Sequence, residues 1–179
     1  MKCALILVIA AQLLTGNLFA ANPALTDNAS RPQPQGSHGL RNEQYGLFLR
    51  PRDASNKTGE PIVLYPYQPW KCMAWHFDNS REGVRLVNFF TSKSFEVDTS
   101  SNARPLLQQA SSADHRVSET LHFIPLDGDL YEIEAPGGAG VLTAVDSDGH
   151  GDLRVVVSPW KQLRSQQWRL VDLPDHFTM

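Results

Sequence analysis

Three segments of the chain carry one pattern. Gln166-Gln167-Trp168-Arg169-Leu170 is the clearest, and Met73-Ala74-Trp75-His76-Phe77 and Glu119-Thr120-Leu121-His122-Phe123 are its counterparts. Their central residues, Trp75, Leu121 and Trp168, stand 46 and 47 positions apart. A fixed period of that length marks a repeated supersecondary unit, which cannot bury its apolar face alone and must pack against its own copies.

The flanking sequence keeps the same step. Nine residues after the first two anchors begin Val84-Arg85-Leu86-Val87-Asn88 and Leu130-Tyr131-Glu132-Ile133-Glu134, which alternate apolar and polar residues as a half-buried strand requires. Twenty after the same anchors lie Phe95-Glu96-Val97-Asp98 and Val141-Leu142-Thr143-Ala144, and Leu47 precedes Trp75 by a matching interval. A further strand leads into each anchor: Ile62-Val63-Leu64-Tyr65, Pro105-Leu106-Leu107-Gln108 and Leu153-Arg154-Val155-Val156-Val157. Turn-forming stretches beginning at Asp53, Asp98 and Asp146 fall at one point of the cycle. Four short strands in three copies predict an all-β chain folded as a β-trefoil, a closed barrel capped by hairpins, with Trp75, Leu121 and Trp168 as core anchors. Closure would leave no open sheet edge.

The ends of the chain differ from this pattern. Residues 1–21 read as a signal peptide: Lys2 gives the positive start, Ala4 to Leu14 the apolar run, and Leu18-Phe19-Ala20 the small-residue cleavage site. The run is too short to span a bilayer, so the protein is expected to be secreted, to the periplasm or beyond. Residues 22–44 are rich in Asn, Pro, Ser, Gln and Gly and are expected to form a flexible N-terminal arm, either a plain linker or a segment that orders against a partner subunit. The trefoil is then expected over 45–174, with 175–179 as a tail. Cys3 would leave with the signal, so Cys72 alone remains and no internal disulfide can form. Cys72 reads as a small buried hydrophobe, with a reactive or intermolecular thiol as the alternative.

Catalytic signals are missing. Asp146-Ser147-Asp148-Gly149-His150-Gly151-Asp152 resembles the start of a calcium loop, but the twelfth position, which must supply a bidentate Glu, is Val157, and a hairpin turn is the better reading. The six histidines show no metal spacing, and no phosphate loop, dinucleotide fingerprint or Gly-x-Ser-x-Gly occurs. A net charge of −3 gives no case for nucleic acid. The expectation is a protein without catalysis, cofactor or metal.

Surface recognition is left. Tyr65-Pro66-Tyr67-Gln68-Pro69-Trp70-Lys71 packs three aromatics and two prolines into a strand end and a stiff loop, and Pro159-Trp160 repeats part of it. Rings on a rigid loop offer contact area at low entropic cost, against sugar faces, protein pockets or lipid headgroups. Tyr65, Tyr67, Trp70 and Trp160 are therefore the expected receptor- or partner-binding residues, with Trp70 the most exposed. The competing role is closure of the barrel bottom. Leu64, Tyr67 and Lys71 also satisfy the loose cholesterol-contact pattern, which is easily met by chance.

These residues carry a family likeness. Gln166-Gln167-Trp168, with degenerate copies at Trp75 and Leu121, resembles the Gln-x-Trp element of ricin-B-type lectin trefoils. Over roughly residues 75–174 the likeness is closer to the A and C subunits of cytolethal distending toxins: Val84-Arg85-Leu86-Val87-Asn88 looks like their Phe-Val-Asn strand, Leu121-His122-Phe123-Ile124-Pro125 like their Phe-x-Leu-Ile-Pro segment, and Gln167-Trp168-Arg169-Leu170 with Pro174 closes the unit. The resemblance implies an exported, non-catalytic virulence subunit that binds a host-cell surface glycan or lipid. It also implies a heterotrimer with a DNase-I-like active subunit and a second trefoil subunit. Size and the N-terminal arm favour the C subunit. Leu14-Thr15-Gly16-Asn17 has the shape of a lipobox whose Cys is replaced by Asn17, so lipidation is not expected. The chain departs from the family in its disulfides, whose positions fall near Ser94 with Ala110 and Val141 with Ser158. No repeat carries a complete lectin set of aspartate, aromatic and asparagine. A free-standing secreted carbohydrate-binding lectin is the second reading, and a trefoil protease inhibitor, for which no inhibitory loop is identifiable, the third.

Overall fold

The computed structural model describes residues 33–98, 104–111, 117–147, 149, 151–174 and 177. The expected signal peptide and residues 22–32 of the expected arm lie outside them. Twelve strands follow in order: β1 (Gly36–Asn42), β2 (Phe48–Pro51), β3 (Ile62–Tyr65), β4 (Trp75–Ser80), β5 (Gly83–Asn88), β6 (Lys93–Glu96), β7 (Leu107–Ala110), β8 (His122–Asp127), β9 (Leu130–Glu134), β10 (Val141–Val145), β11 (Leu153–Ser158) and β12 (Gln167–Val171).

Six of them close a barrel. β1 pairs with β4, β4 with β5, and β5 meets the residue leading into β8 through Val84 opposite Leu121. β8 then pairs with β9, β9 with β12, and β12 returns to β1, antiparallel throughout. The other six form hairpins β2–β3, β6–β7 and β10–β11. The hairpins also meet one another, at Leu64 with Leu153, Pro61 with Leu107, and Pro105 with Val156. Three units of four strands around a pseudo-threefold axis make a β-trefoil.

The core is built in sets of three. Trp75, Leu121 and Trp168 are each fully buried, as are Leu49 and Leu142, with Phe95 between them in the cycle. The Trp75 indole N–H donates to the Leu49 carbonyl and that of Trp168 to the Leu142 carbonyl, both at 2.9 Å. Leu121 has no N–H to place. Phe95, in the position equivalent to Leu49, sits edge-on to Trp75 at 5.6 Å instead. A second set, Leu40, Leu86 and Ile133, comes from β1, β5 and β9.

That second set corrects the expected domain boundary. The folded domain begins well before residue 45, because Gly36–Asn42, assigned to the arm, is a barrel strand. Its residues Gly39 to Asn42 pair with Val171 to Trp168, and Gly36 to His38 with Phe77 to Trp75. Composition misleads here because Gly, Ser and Asn bury little apolar surface. Backbone hydrogen bonds on both sides and two fully buried side chains, Leu40 and Asn42, hold the strand instead. Ahead of it, the Gln33 amide oxygen accepts from Phe123 N at 2.9 Å.

Buried asparagines lock the strand ends. The Asn42 side chain donates to the carbonyls of Ser165 and Gln167 and accepts from the N–H groups of Gln44 and Tyr45. Asn88 does the same 46 positions on, donating to Cys72 and Ala74 and accepting from Phe90 and Thr91. The third equivalent is Ala135, which cannot form this clamp. At the start of β5, Gly83 is obligatory: its φ is +133°, and a Cβ there would lie 2.5 Å from the Leu121 carbonyl.

Two outcomes follow. Replacing Asn88 or Asn42 by Ala leaves buried backbone groups without partners and should cost about 3 kcal/mol in denaturant unfolding. A chain beginning at residue 45 lacks β1 and should give no cooperative thermal transition, whereas one beginning at residue 33 should melt in a single step; equal melting of the two would show β1 to be dispensable.

Candidate functional site

The site lies on the outer side of the first hairpin. Alternation along β2 sends Leu49 into the core and leaves Phe48 and Arg50 on the opposite side. In the β2–β3 register Phe48 faces Tyr65 and Arg50 faces Val63, so the Arg50 side chain lies diagonally to Tyr65. Its guanidinium stacks over the Tyr65 ring at 3.8 Å from the centroid, with the Trp70 ring 5.9 Å away. Tyr65 and Trp70 are themselves stacked, at 6.2 Å and 27°. The loop that carries Trp70 ends in a 3-10 turn at Lys71–Met73, which buries Cys72 and Met73 against Phe48.

These groups line an open cavity of about 410 Å³, together with Asp53, Ala54, Lys71, Cys72 and Phe90. One wall is a strained loop: Asp53 and Ala54 have φ of 53° and 50°, a left-handed conformation costing roughly 1–2 kcal/mol per non-glycine residue. Buried Gln108, from the second repeat, holds that loop in place. Its amide N–H groups donate to the carbonyls of Ser55 and Lys57, and its oxygen accepts from Thr91 Oγ1.

Arg50 is the anomaly of the site. It is only 5% exposed, its Nε makes no hydrogen bond among the described residues, and no carboxylate pairs with it there. A buried cation without a paired carboxylate is costly, and cation–π stacking, worth about 2 kcal/mol when desolvated, offsets only part of that. Cys72 lies beside it. Burial pushes the Cys72 thiol up, while the Arg50 charge and hydrogen bond pull it down by less. The thiol is therefore a protonated, buried group, as expected.

The pseudo-threefold axis supplies an internal comparison. Arg50, Tyr65 and Met73 of the first repeat correspond to Thr143, Ser158 and Gln166 of the third. There the three side chains close on one another: Thr143 and Ser158 hydroxyls are 2.7 Å apart, and the Gln166 amide donates to both and to the Pro159 carbonyl. The Gln166 oxygen accepts from Lys161 N at 2.7 Å. The Gln of the Gln-x-Trp motif is thus consumed inside the fold. In the second repeat the corresponding residues are Glu96, Gln109 and Glu119, and a cavity of about 430 Å³ opens beside Glu96 and Gln109. Glu119 itself is buried and paired with Arg85, which also bonds Asp78 at 2.5 Å.

The four expected binding residues separate. Tyr65 and Trp70 line the cavity, and both are partly buried by their mutual stacking. Tyr67 packs on Phe48 at 5.1 Å yet stays 39% exposed, so it, not Trp70, is the exposed ring of the loop. Trp160 belongs to the third repeat, at the position equivalent to Tyr67, and does not line the cavity. Sequence reasoning missed Arg50 and the pair Phe89 and Phe90, which are 50% and 44% exposed in the turn after β5. Phe90 lines the cavity, and Phe89 lies 5.7 Å from Phe177. The available signal was two adjacent aromatics just past a strand end, where alternation no longer buries both. The Asp146–Asp152 turn is a hairpin turn in which Ser147 Oγ accepts from the N–H groups of Gly149 and Gly151; Asp148 and His150 lie outside the described residues.

No protein-family model matches the chain, and no curated protein matches it in sequence. Solved structures do. The designed threefold-symmetric protein ThreeFoil aligns with a TM-score of 0.67 at 22% identity, over 78% of this chain and all of its own. The Haemophilus ducreyi cytolethal distending toxin aligns with 0.63 at 18% identity, over 83% of this chain and 92% of the toxin chain. The Rhizoctonia solani agglutinin aligns with 0.62 at 18% identity, over 79% and 98%. At these identities the likeness establishes the trefoil fold, one that cytolethal distending toxin chains and agglutinins share.

Proposed function

We propose that this chain is a non-catalytic binding subunit of a cytolethal distending-type toxin, exported through residues 1–21, that engages a host-cell surface and assembles with a DNase-I-like active subunit and a second trefoil subunit. The observation that carries the reading is the set of aromatics at the first hairpin: Phe90 is exposed at the cavity that the Tyr65–Trp70 stack lines, and Tyr67 on Phe48 and Phe89 next to Phe90 in the chain are exposed as well. Exposed rings on a rigid scaffold are the usual anchors of recognition. The Leu121-His122-Phe123-Ile124-Pro125 run in register with Gln167-Trp168, and the fold shared with the Haemophilus ducreyi toxin, support the toxin assignment.

A free-standing secreted lectin is the second reading. The cavity favours it: about 410 Å³ beside stacked rings suits a sugar ring, and the Rhizoctonia solani agglutinin shares the fold. Affinity capture from the native host separates the two. A toxin subunit should bring down a DNase-I-like chain in stoichiometric amount, whereas a lectin should elute alone. In either case Tyr67→Ala combined with Phe90→Ala should weaken binding of labelled protein to host cells by at least about tenfold, as loss of interface anchors does. Both rings lie outside the barrel core, so the melting temperature should move by no more than about 3 °C.

A further inference from the structure

We infer that the cavity at the first hairpin is a subsite for an acidic sugar, whose carboxylate pairs with Arg50 while its ring lies against Trp70. The inference deepens the surface-binding reading and rests on it for its biological setting.

Three observations converge. The Arg50 guanidinium is almost wholly buried, lines the cavity, and has no carboxylate partner among the described residues. Its planar fork is shaped for a carboxylate, which it can grip through two parallel N–H···O bonds. Lys71 adds a second positive charge to the lining and Asp53 a single negative one, so the lining carries one net positive charge. That balance suits a monoanion better than a phosphate dianion. The cavity is otherwise walled by Tyr65, Trp70 and Phe90, against which a sugar ring can lie.

The other two repeats act as built-in controls. The third fills the equivalent place with its own Thr143–Ser158–Gln166 hydrogen bonds, and the second puts Glu96 where the first has Arg50. An anion is therefore accommodated at one repeat of the three.

The test is a titration of the intact secreted chain, followed by tryptophan fluorescence, with sialyllactose, lactose and 3′-sulfated lactose. Sialyllactose should bind at least about tenfold more tightly than lactose, the size of one charge-assisted pair. Arg50→Met should remove that preference. Because a buried position can unsettle the hairpin, Lys71→Glu at the rim is the second variant; it should weaken sialyllactose several-fold and leave the melting temperature unchanged. Equal binding of sialyllactose and lactose, or a preference untouched by both variants, overturns the inference. Binding of the sulfated sugar alone overturns the carboxylate in favour of a sulfate ester. If sialyllactose binds but cells are not labelled, the subsite stands and the cell-surface reading falls; if cells are labelled without acidic preference, the reverse holds.

Discussion

The fold depends on the place of β1 between β12 and β4. A trefoil barrel is a ring of backbone hydrogen bonds, and a ring missing one strand has two raw edges. The ring is closed by β1, the first strand among the described residues, whose Gly39–Asn42 stretch pairs with β12 and whose Gly36–His38 stretch pairs with β4. The first and last described strands are thereby joined in one sheet. The buried Asn42 clamp assumes that closure: its amide can reach the Ser165 and Gln167 carbonyls only when the first and third repeats are side by side.

This explains which parts of the fold could be read from the chain. The anchors were legible because a buried Trp or Leu recurs at one interval and little else fits the centre of a barrel. The hairpins were legible because apolar strands alternate with turn residues. β1 was not, although Leu40-Arg41-Asn42 stands 46 positions before Leu86-Val87-Asn88 and carries the same signal. Its surroundings are polar and proline-rich, and composition outweighed a three-residue match. The site was less legible still. Tyr65 and Trp70 stood out as rings on a stiff loop, but nothing local marks Arg50 as buried; its burial comes from rings more than ten residues away in the chain. Gln166 was legible as a motif, and its partners, known only in three dimensions, make it structural.

Among the described residues the one cysteine, Cys72, is a buried free thiol, and no disulfide braces the fold. Val141 and Ser158 face each other across β10–β11, and Ser94 pairs with Gln109, next to Ala110. The positions that carry disulfides in the resembling toxin subunits are thus adjacent here, yet hold no sulfur. The work falls to the core sets and to buried polar clamps such as Thr143–Ser158–Gln166, which ties the same hairpin by hydrogen bonds. Hydrogen bonds constrain the native hairpin without restricting the unfolded chain as a covalent link does. Cooperative packing around the axis must therefore compensate.

Threefold repetition also frees the outer positions to diverge. A core position must suit the two neighbours that face it across the axis, so change there is penalised at both contacts. An outer position answers mainly to its own hairpin. The same location holds Arg50 on an aromatic ring, Glu96 beside an open cavity, and Thr143 in a closed clamp. One barrel thus places three different side chains, in three different settings, at equivalent angles about its axis. A symmetric core does not require a symmetric binding surface.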